Sequence, residues 1–348
     1  MITSTDLLPL RYTPDLTEGG IAYACRCLAS DSGHMGSTRG VPGIGTQVDR
    51  LRHSVVEALV ELAFRRFLSE QAVPFNVLGA SPFTKPGHYD VALGGHRCDL
   101  KSYFISHRAQ ITQIRRDPAL VLQASALLPL EQFAAEDHKP DDLVLFAFLL
   151  GVAAASLEEV DKAAAAGQPA CLVYPLPGEW SRPANWLALE ALALKSECEL
   201  PIQVEIGGLD AGREFVSLQL ELPPKKRVPV EQEFYSLAYV HTQRRPGRRI
   251  GLHSPTRGEV LLLQPVDWGN IWVYGMDILM TGWLSHEEFR RKAKVLNAGI
   301  STFQYDRTRV KNLCVPVAEL NPLGPLLAHV KEWEAAKTLV MEPGRLKI

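Results

Sequence analysis

Few structures are open to the stretch His88–Ser102, HYDVALGGHRCDLKS. Two arms of alternating character flank Gly94-Gly95, a pair in which both residues can take positive φ without steric cost, as the tightest hairpin turns require. With these glycines as the turn the register follows: Leu93 faces His96, Val91 faces Cys98, Tyr89 faces Leu100 and Asp90 faces Asp99. Alternation puts Tyr89, Val91, Leu93, Cys98 and Leu100 on an apolar face, suited to packing against a helix. It puts Asp90, Asp99 and Lys101 on the other face. Two carboxylates facing each other across a ladder, with Cβ atoms roughly 4.5–5.5 Å apart, repel one another and weaken the sheet. A bound hard cation removes that repulsion; a solvated polar face with a chance acid pair is the plainer alternative.

The neighbouring segments give this ribbon a setting. From about Thr46 to Gln71 the apolar residues Leu51, Val55, Leu59, Leu62, Ala63 and Phe67 keep helical spacing. Glu57 and Glu61 sit one turn apart on that helix and share a face. FNVL, Phe75–Leu78, reads as a short first strand. After Ser102 a helix is expected from about His107 to Leu130, with a break near Pro118. Leu143–Val152 is a continuous apolar run that suits a strand buried on both faces. Ser156 and Glu159 have capping-box spacing for a helix Leu157–Ala166, and Ala170–Tyr174 follows as another strand.

Helix, strand, acidic hairpin, helix, strand is an order that resembles the PD-(D/E)XK, or restriction-endonuclease-like, nucleases. Their motif reads here as Tyr89-Asp90, then Asp99-Leu100-Lys101, with Tyr89 where the family often has proline. The resemblance covers residues 46–176 and implies an α/β fold with an αβββαβ core, whose sheet the last helix and strand would extend. It implies Mg²⁺ (or Mn²⁺) held by Asp90 and Asp99. A helix glutamate, Glu61 in preference to Glu57, would complete the shell, and the Leu100 carbonyl is a further ligand. Lys101 would orient the attacking water and stabilise charge on the phosphate. The activity implied is a Mg²⁺-dependent endonuclease acting on nucleic acid, with DNA expected before RNA, in restriction or defence against foreign DNA. The competing reading is a catalytically inactive nuclease fold serving as a nucleic-acid-binding or scaffolding module, for which facing carboxylates have no use.

With 348 residues the chain has length for more than one domain. Residues 1–45 read as an irregular arm with one short helix near Leu16–Leu28, and the glycines at 36, 40, 43 and 45 make no phosphate loop. Beyond Leu176 come a short helix Trp186–Cys198 and strand-like runs at Ile202–Ile206, Phe215–Leu222, Phe234–Val240, Val260–Gln264 and Ile271–Tyr274. A helix at Ser285–Leu296, a strand near Leu313–Val317 and a helix around Leu323–Lys337 follow. Residues 177–348 are therefore expected to form a mainly β domain that binds the substrate or a protein partner.

The net charge of −2 excludes a strongly cationic, histone-like binder. Between Leu222 and Ile250, however, Lys225, Lys226, Arg227, Arg244, Arg245, Arg248 and Arg249 stand against Glu231 and Glu233. That balance suits contact with a phosphate backbone as well as a merely solvated surface. Six cysteines without a C-x-x-C pair argue against a zinc ribbon or disulfide framework. With no apolar run as long as a membrane span, no membrane association is expected, and the location expected is cytoplasmic.

Overall fold

The computed structural model describes residues 2–29, 47–77, 91–135, 138–153, 157–166, 171–258, 260–271 and 273–340. The expectations for the glycine-rich passage, for Leu78, for the Ser156 cap, and for Tyr89 and Asp90 lie outside those residues. The fold is mixed α/β and divides into two compact units. Unit 1 takes Met1–Leu16, Val56–Gly151 and Met276–Ile348; unit 2 takes Thr17–Val55 and Val152–Gly275. Both the block expected at 46–176 and the one expected at 177–348 contribute to both units.

Unit 1 holds a five-stranded sheet made from β1 (Leu8–Leu10), β2 (Val91–Leu93), β3 (His96–Ile105), β5 (Leu143–Ala153) and β15 (Val273–Ser285), in the order β1-β15-β5-β3-β2. The β2–β3 hairpin has the expected register: Val91↔Cys98, Ala92↔Arg97 and Leu93↔His96. Its turn glycines have φ of +57° and +86°, positive at both positions as a type I′ turn demands. Val330 and Trp333 of α8 (Leu323–Val340) lie where a Cβ on Gly94 would point. β3 and β5 pair in parallel from Cys98↔Leu143 to Ile105↔Leu150. A parallel pair needs a crossover, and α3 (Arg108–Arg116) lies on it. The amphipathic helix forms as α2 (Gln47–Glu70), burying Leu51, Val55, Leu59 and Ala63.

Two expectations for this region need correction. FNVL supplies no described strand: Asn76 makes one antiparallel bridge to Ala92, exchanging both backbone hydrogen bonds, at 3.0 and 2.7 Å. The helix expected to reach Leu130 stops at Arg116, because Asp117 precedes a proline and is pushed out of helical backbone. A short 3₁₀ turn follows, and then SALLP becomes β4 (Ser125–Pro129). Pairing decides this, since β4 is an edge of a second sheet, β16-β17-β4, with β16 (Lys294–Leu296) and β17 (Asn312–Pro316). α4 (Leu130–Ala135) and α7 (His286–Lys292) complete the unit's helices. Ser285 caps α7 as expected, accepting from the Glu288 N–H at 3.1 Å while Glu288 Oε2 accepts from the Ser285 N–H at 3.1 Å.

Unit 2 is mainly β. Beside most of α1 (Pro14–Ala29), α5 (Leu157–Ala165) and α6 (Gly178–Ser181), it contains two sheets. One is β14-β6-β11-β8-β9, built from β6 (Cys171–Pro175), β8 (Ile202–Leu209), β9 (Phe215–Leu222), β11 (Ser236–Thr242) and β14 (Gly269–Ile271). The other is β10-β7-β12-β13, built from β7 (Ala193–Ser196), β10 (Arg227–Pro229), β12 (Ile250–His253) and β13 (Leu261–Leu263). The strand expected to extend the nuclease-like sheet is β6, and it pairs instead with β11 and β14. The helix expected over Trp186–Cys198 is likewise absent. Its apolar residues Leu189, Leu192 and Leu194 enter the unit's core, and Leu194 does so from β7, which is bonded on both sides by β10 and β12. Among the described residues no disulfide joins any of the six cysteines, and five of them are buried. No described helix is long and apolar enough to cross a membrane.

Candidate active site

Strand β3 sets the site by alternation. Cys98 and Leu100 are buried in the core on one face, while Asp99 and Lys101 share the other. Lys101 Nζ lies 2.8 Å from Asp99 Oδ2, with the two side chains 15% and 18% exposed. Both line a pocket with about 200 Å³ of empty space, its solvent side included, together with Leu128, Phe133, His138, Val144 and His286. Val144 comes from β5, directly beside Asp99 in the parallel ladder, and Leu128 comes from β4.

Beyond Lys101 on the same face of β3 the packing is aromatic. Tyr103 stacks with Phe146 at 6.4 Å and packs against Phe148 at 5.1 Å. Its hydroxyl donates to the Leu127 carbonyl at 2.8 Å and accepts from the Leu127 N–H at 2.6 Å, fixing β4 over β3. Burial pushes this hydroxyl far up, with the charge of Asp99 a lesser contributor in the same direction.

Three residues that the sequence did not single out form the opposite wall. His286 stacks on Phe133 with ring centres 4.1 Å apart and planes 9° from parallel, and the His138 ring lies 4.6 Å from it. His138 Nδ1 is 3.8 Å from Asp142 Oδ2. Asp142 is buried and chelated by Arg97, which donates from Nε to Oδ1 at 2.8 Å and from its second terminal nitrogen to Oδ2. Burial alone would raise the Asp142 carboxyl. Hydrogen bonds from Arg97 and the Lys139 N–H, with the charges of Arg97 and His138, outweigh it and hold the carboxyl below its usual range. Asp142 thus keeps its charge and fixes Arg97 behind the mouth of the hairpin.

The helix glutamates fall in different places. Glu61 is only 5% exposed and ion-paired to Arg65 at 3.1 Å; burial raises its carboxyl and Arg65 partly offsets that. It does not line the pocket. Glu57 is half-buried, and its charge adds to burial in raising Tyr305, whose ring meets Tyr103 edge-on at 6.3 Å. Glu57 does not line the pocket either. Asp90 lies outside the described residues.

A divalent ion implied by the resemblance can be tested against the donors present. Asp99 gives Oδ2 to Lys101, and among the described residues its Oδ1 accepts no hydrogen bond. A half-buried carboxylate oxygen left open in this way fits a Mg²⁺ ligand, since that ion takes one or two carboxylates and keeps several waters. Among the described residues no group of three His, Cys, Asp or Glu closes around an ion. Compared with family models, with curated proteins and with solved structures, the chain matches none.

Proposed function

We propose that the protein is a metal-dependent nuclease that hydrolyses phosphodiester bonds, in DNA before RNA, at the pocket floored by Asp99 and Lys101. The observation that carries the reading is the pair itself: an acid and a lysine two residues apart on one strand, half-buried and 2.8 Å apart in a pocket. A surface ion pair gains little in water. A lysine held against a carboxylate in a partly dehydrated pocket is placed to meet a second anion, and the phosphate of a bound strand is one. The hairpin register supports the reading too, because the Asp90–Asp99 pairing was expected from the same register that Val91–Leu93 adopt.

A divalent ion held there would supply an activated water and charge neutralisation at the leaving oxygen. Asp99 would hold it, with Asp90, the Leu100 carbonyl, and Glu61 or Glu57 as the resemblance assigns them. Lys101 orients the attacking water and stabilises charge building on the non-bridging phosphate oxygens. Leu128, Phe133 and Val144 exclude bulk water from one side of the pocket, which strengthens these interactions. A restriction or defence role follows from the resemblance and from nothing else.

The deciding experiment incubates the purified protein with plasmid, linear and single-stranded DNA, with and without Mg²⁺, beside Asp99→Ala. Cleavage that requires both the metal and Asp99 is the expected result. Equal cleavage by the variant, or none by either protein on any substrate, removes the assignment.

A further inference from the structure

The sheet β10-β7-β12-β13 of unit 2 gathers basic residues from three separate stretches of chain. Lys195 on β7 is the cross-strand partner of Arg227 on β10, so the two share a face. Both are exposed; Lys226, just before β10, and Arg248, two residues before β12, are exposed as well, at the end of the sheet. Backbone bonds bring the flanking loops in: the Lys225 N–H donates to the Ser196 carbonyl at 2.9 Å, and the Glu197 N–H to the Arg249 carbonyl at 3.0 Å. Glu197 takes two hydrogen bonds from Arg249, at 2.8 and 3.0 Å, and Lys225 pairs with Glu199 at 3.1 Å. The Glu197 carboxyl is held below its usual range first by Arg249, with the charges of Lys195 and Arg248 adding to it, which puts all three within electrostatic reach of one acid.

Two acids are consumed there, and four cations are left over. Among the described residues Lys195, Lys226, Arg227 and Arg248 have no carboxylate within ion-pair distance. Like charges opposite each other on neighbouring strands repel and weaken the sheet. Lys195 facing Arg227 is therefore an arrangement that a polyanion relieves. Lys195 lies outside the basic stretch visible in the sequence and joins it only through strand pairing.

We propose that this face binds the phosphate backbone of nucleic acid without reading its sequence. The four unpaired groups are cations, and none of them is aromatic. The contact offered is charge to phosphate; the exposed Leu262, in the same cross-strand row as Lys195 through Gly251, adds a small apolar area at its edge. The identity of the polyanion rests on the nuclease reading; the existence of an anion-binding face does not.

The test measures binding of the full chain to a fluorescent DNA duplex of arbitrary sequence, in EDTA so that no cleavage occurs, across a salt series. The variants are Lys195→Glu/Arg227→Glu/Arg248→Glu and the milder triple change to Gln. With three phosphate contacts removed, the slope of log affinity against log salt should flatten by about 2.7 for duplex DNA, with affinity down at least about tenfold at moderate salt. The Gln triple should change in the same direction with a melting point no lower than that of the wild type. Unchanged affinity and slope in both variants overturns the proposal. So does wild-type binding to phosphatidylserine vesicles or to an acidic protein with none to duplex. Asp99→Ala, measured in parallel, separates the two readings: patch-dependent binding without any cleavage retires the nuclease alone, and cleavage with patch-independent binding retires this face alone.

Discussion

The Tyr103 hydroxyl holds both backbone groups of Leu127, donating to the carbonyl at 2.8 Å and accepting from the N–H at 2.6 Å. A side chain of β3 thereby performs for β4 what a neighbouring strand performs elsewhere, and β4 roofs the pocket through Leu128. Tyr103→Phe keeps the ring but strands two buried polar groups, each worth about 1–3 kcal/mol when unsatisfied. The expected outcome is a lower denaturant midpoint and faster hydrogen exchange at the Leu127 amide. An unchanged exchange rate there contradicts the role.

For the pair on β3, Asp99→Ala and Lys101→Ala should each lower DNA cleavage by about 10²-fold or more while the far-UV spectrum and melting curve stay near wild type. Steady-state cleavage of a labelled duplex in Mg²⁺ measures this. The wild-type protein should also melt higher with Mg²⁺, and Asp99→Ala should lose that increment, because only a folded site binds the ion.

Arg97 and Asp142 yield a prediction in pH. The folded-state carboxyl of Asp142 sits below its ordinary value of 3.8. Its contribution to stability is therefore complete above that value and is lost as pH falls through the lower folded value. Arg97→Ala leaves the acid buried without its chelator and should cost about 3–5 kcal/mol at neutral pH. Below the folded value the variant and the wild type should converge. Thermal melts of both proteins from neutral pH into strong acid check this, and a constant gap rules it out.

Close packing in unit 2 gives a steric prediction. A Cβ on Gly208 would lie 1.9 Å from the Ser236 carbonyl oxygen, where β8 and β11 pair across a register shift between Leu237 and Tyr239. Backbone cannot retreat as a side-chain tip can, so Gly208→Ala should destabilise the unit by more than about 3 kcal/mol. Limited proteolysis should show rapid cutting within residues 171–258 of the variant. Equal resistance in the two proteins refutes the clash.

The hairpin was legible because two adjacent glycines between alternating arms leave one inexpensive turn, and alternation then fixes which side chains share a face. The α7 cap was legible for a comparably local reason, a serine and a glutamate three residues apart. Pairing partners were not. The run at Cys171–Pro175 shows that a strand forms there, but nothing in its own residues says that β11 rather than the nuclease-like sheet will take it. Over Trp186–Cys198 the expected helix gave way to extended chain, because two neighbouring strands bond β7 on both sides. The units were hidden too, since the chain changes unit at 16–17, 55–56, 151–152 and 275–276, inside helices and strands and away from any proline- or glycine-rich linker. At the pocket, His138 and His286 lie far apart in sequence and carry no motif; only the fold brings their rings together.

Strand β1 meets β15 at Leu8↔Met280, so the first strand and the last strand of the main sheet of unit 1 are neighbours. A ribosome must therefore release the chain through β15 before that sheet can close, and α8, which meets the glycine turn, is made after β15. Contacts this remote along the chain make for slow closure.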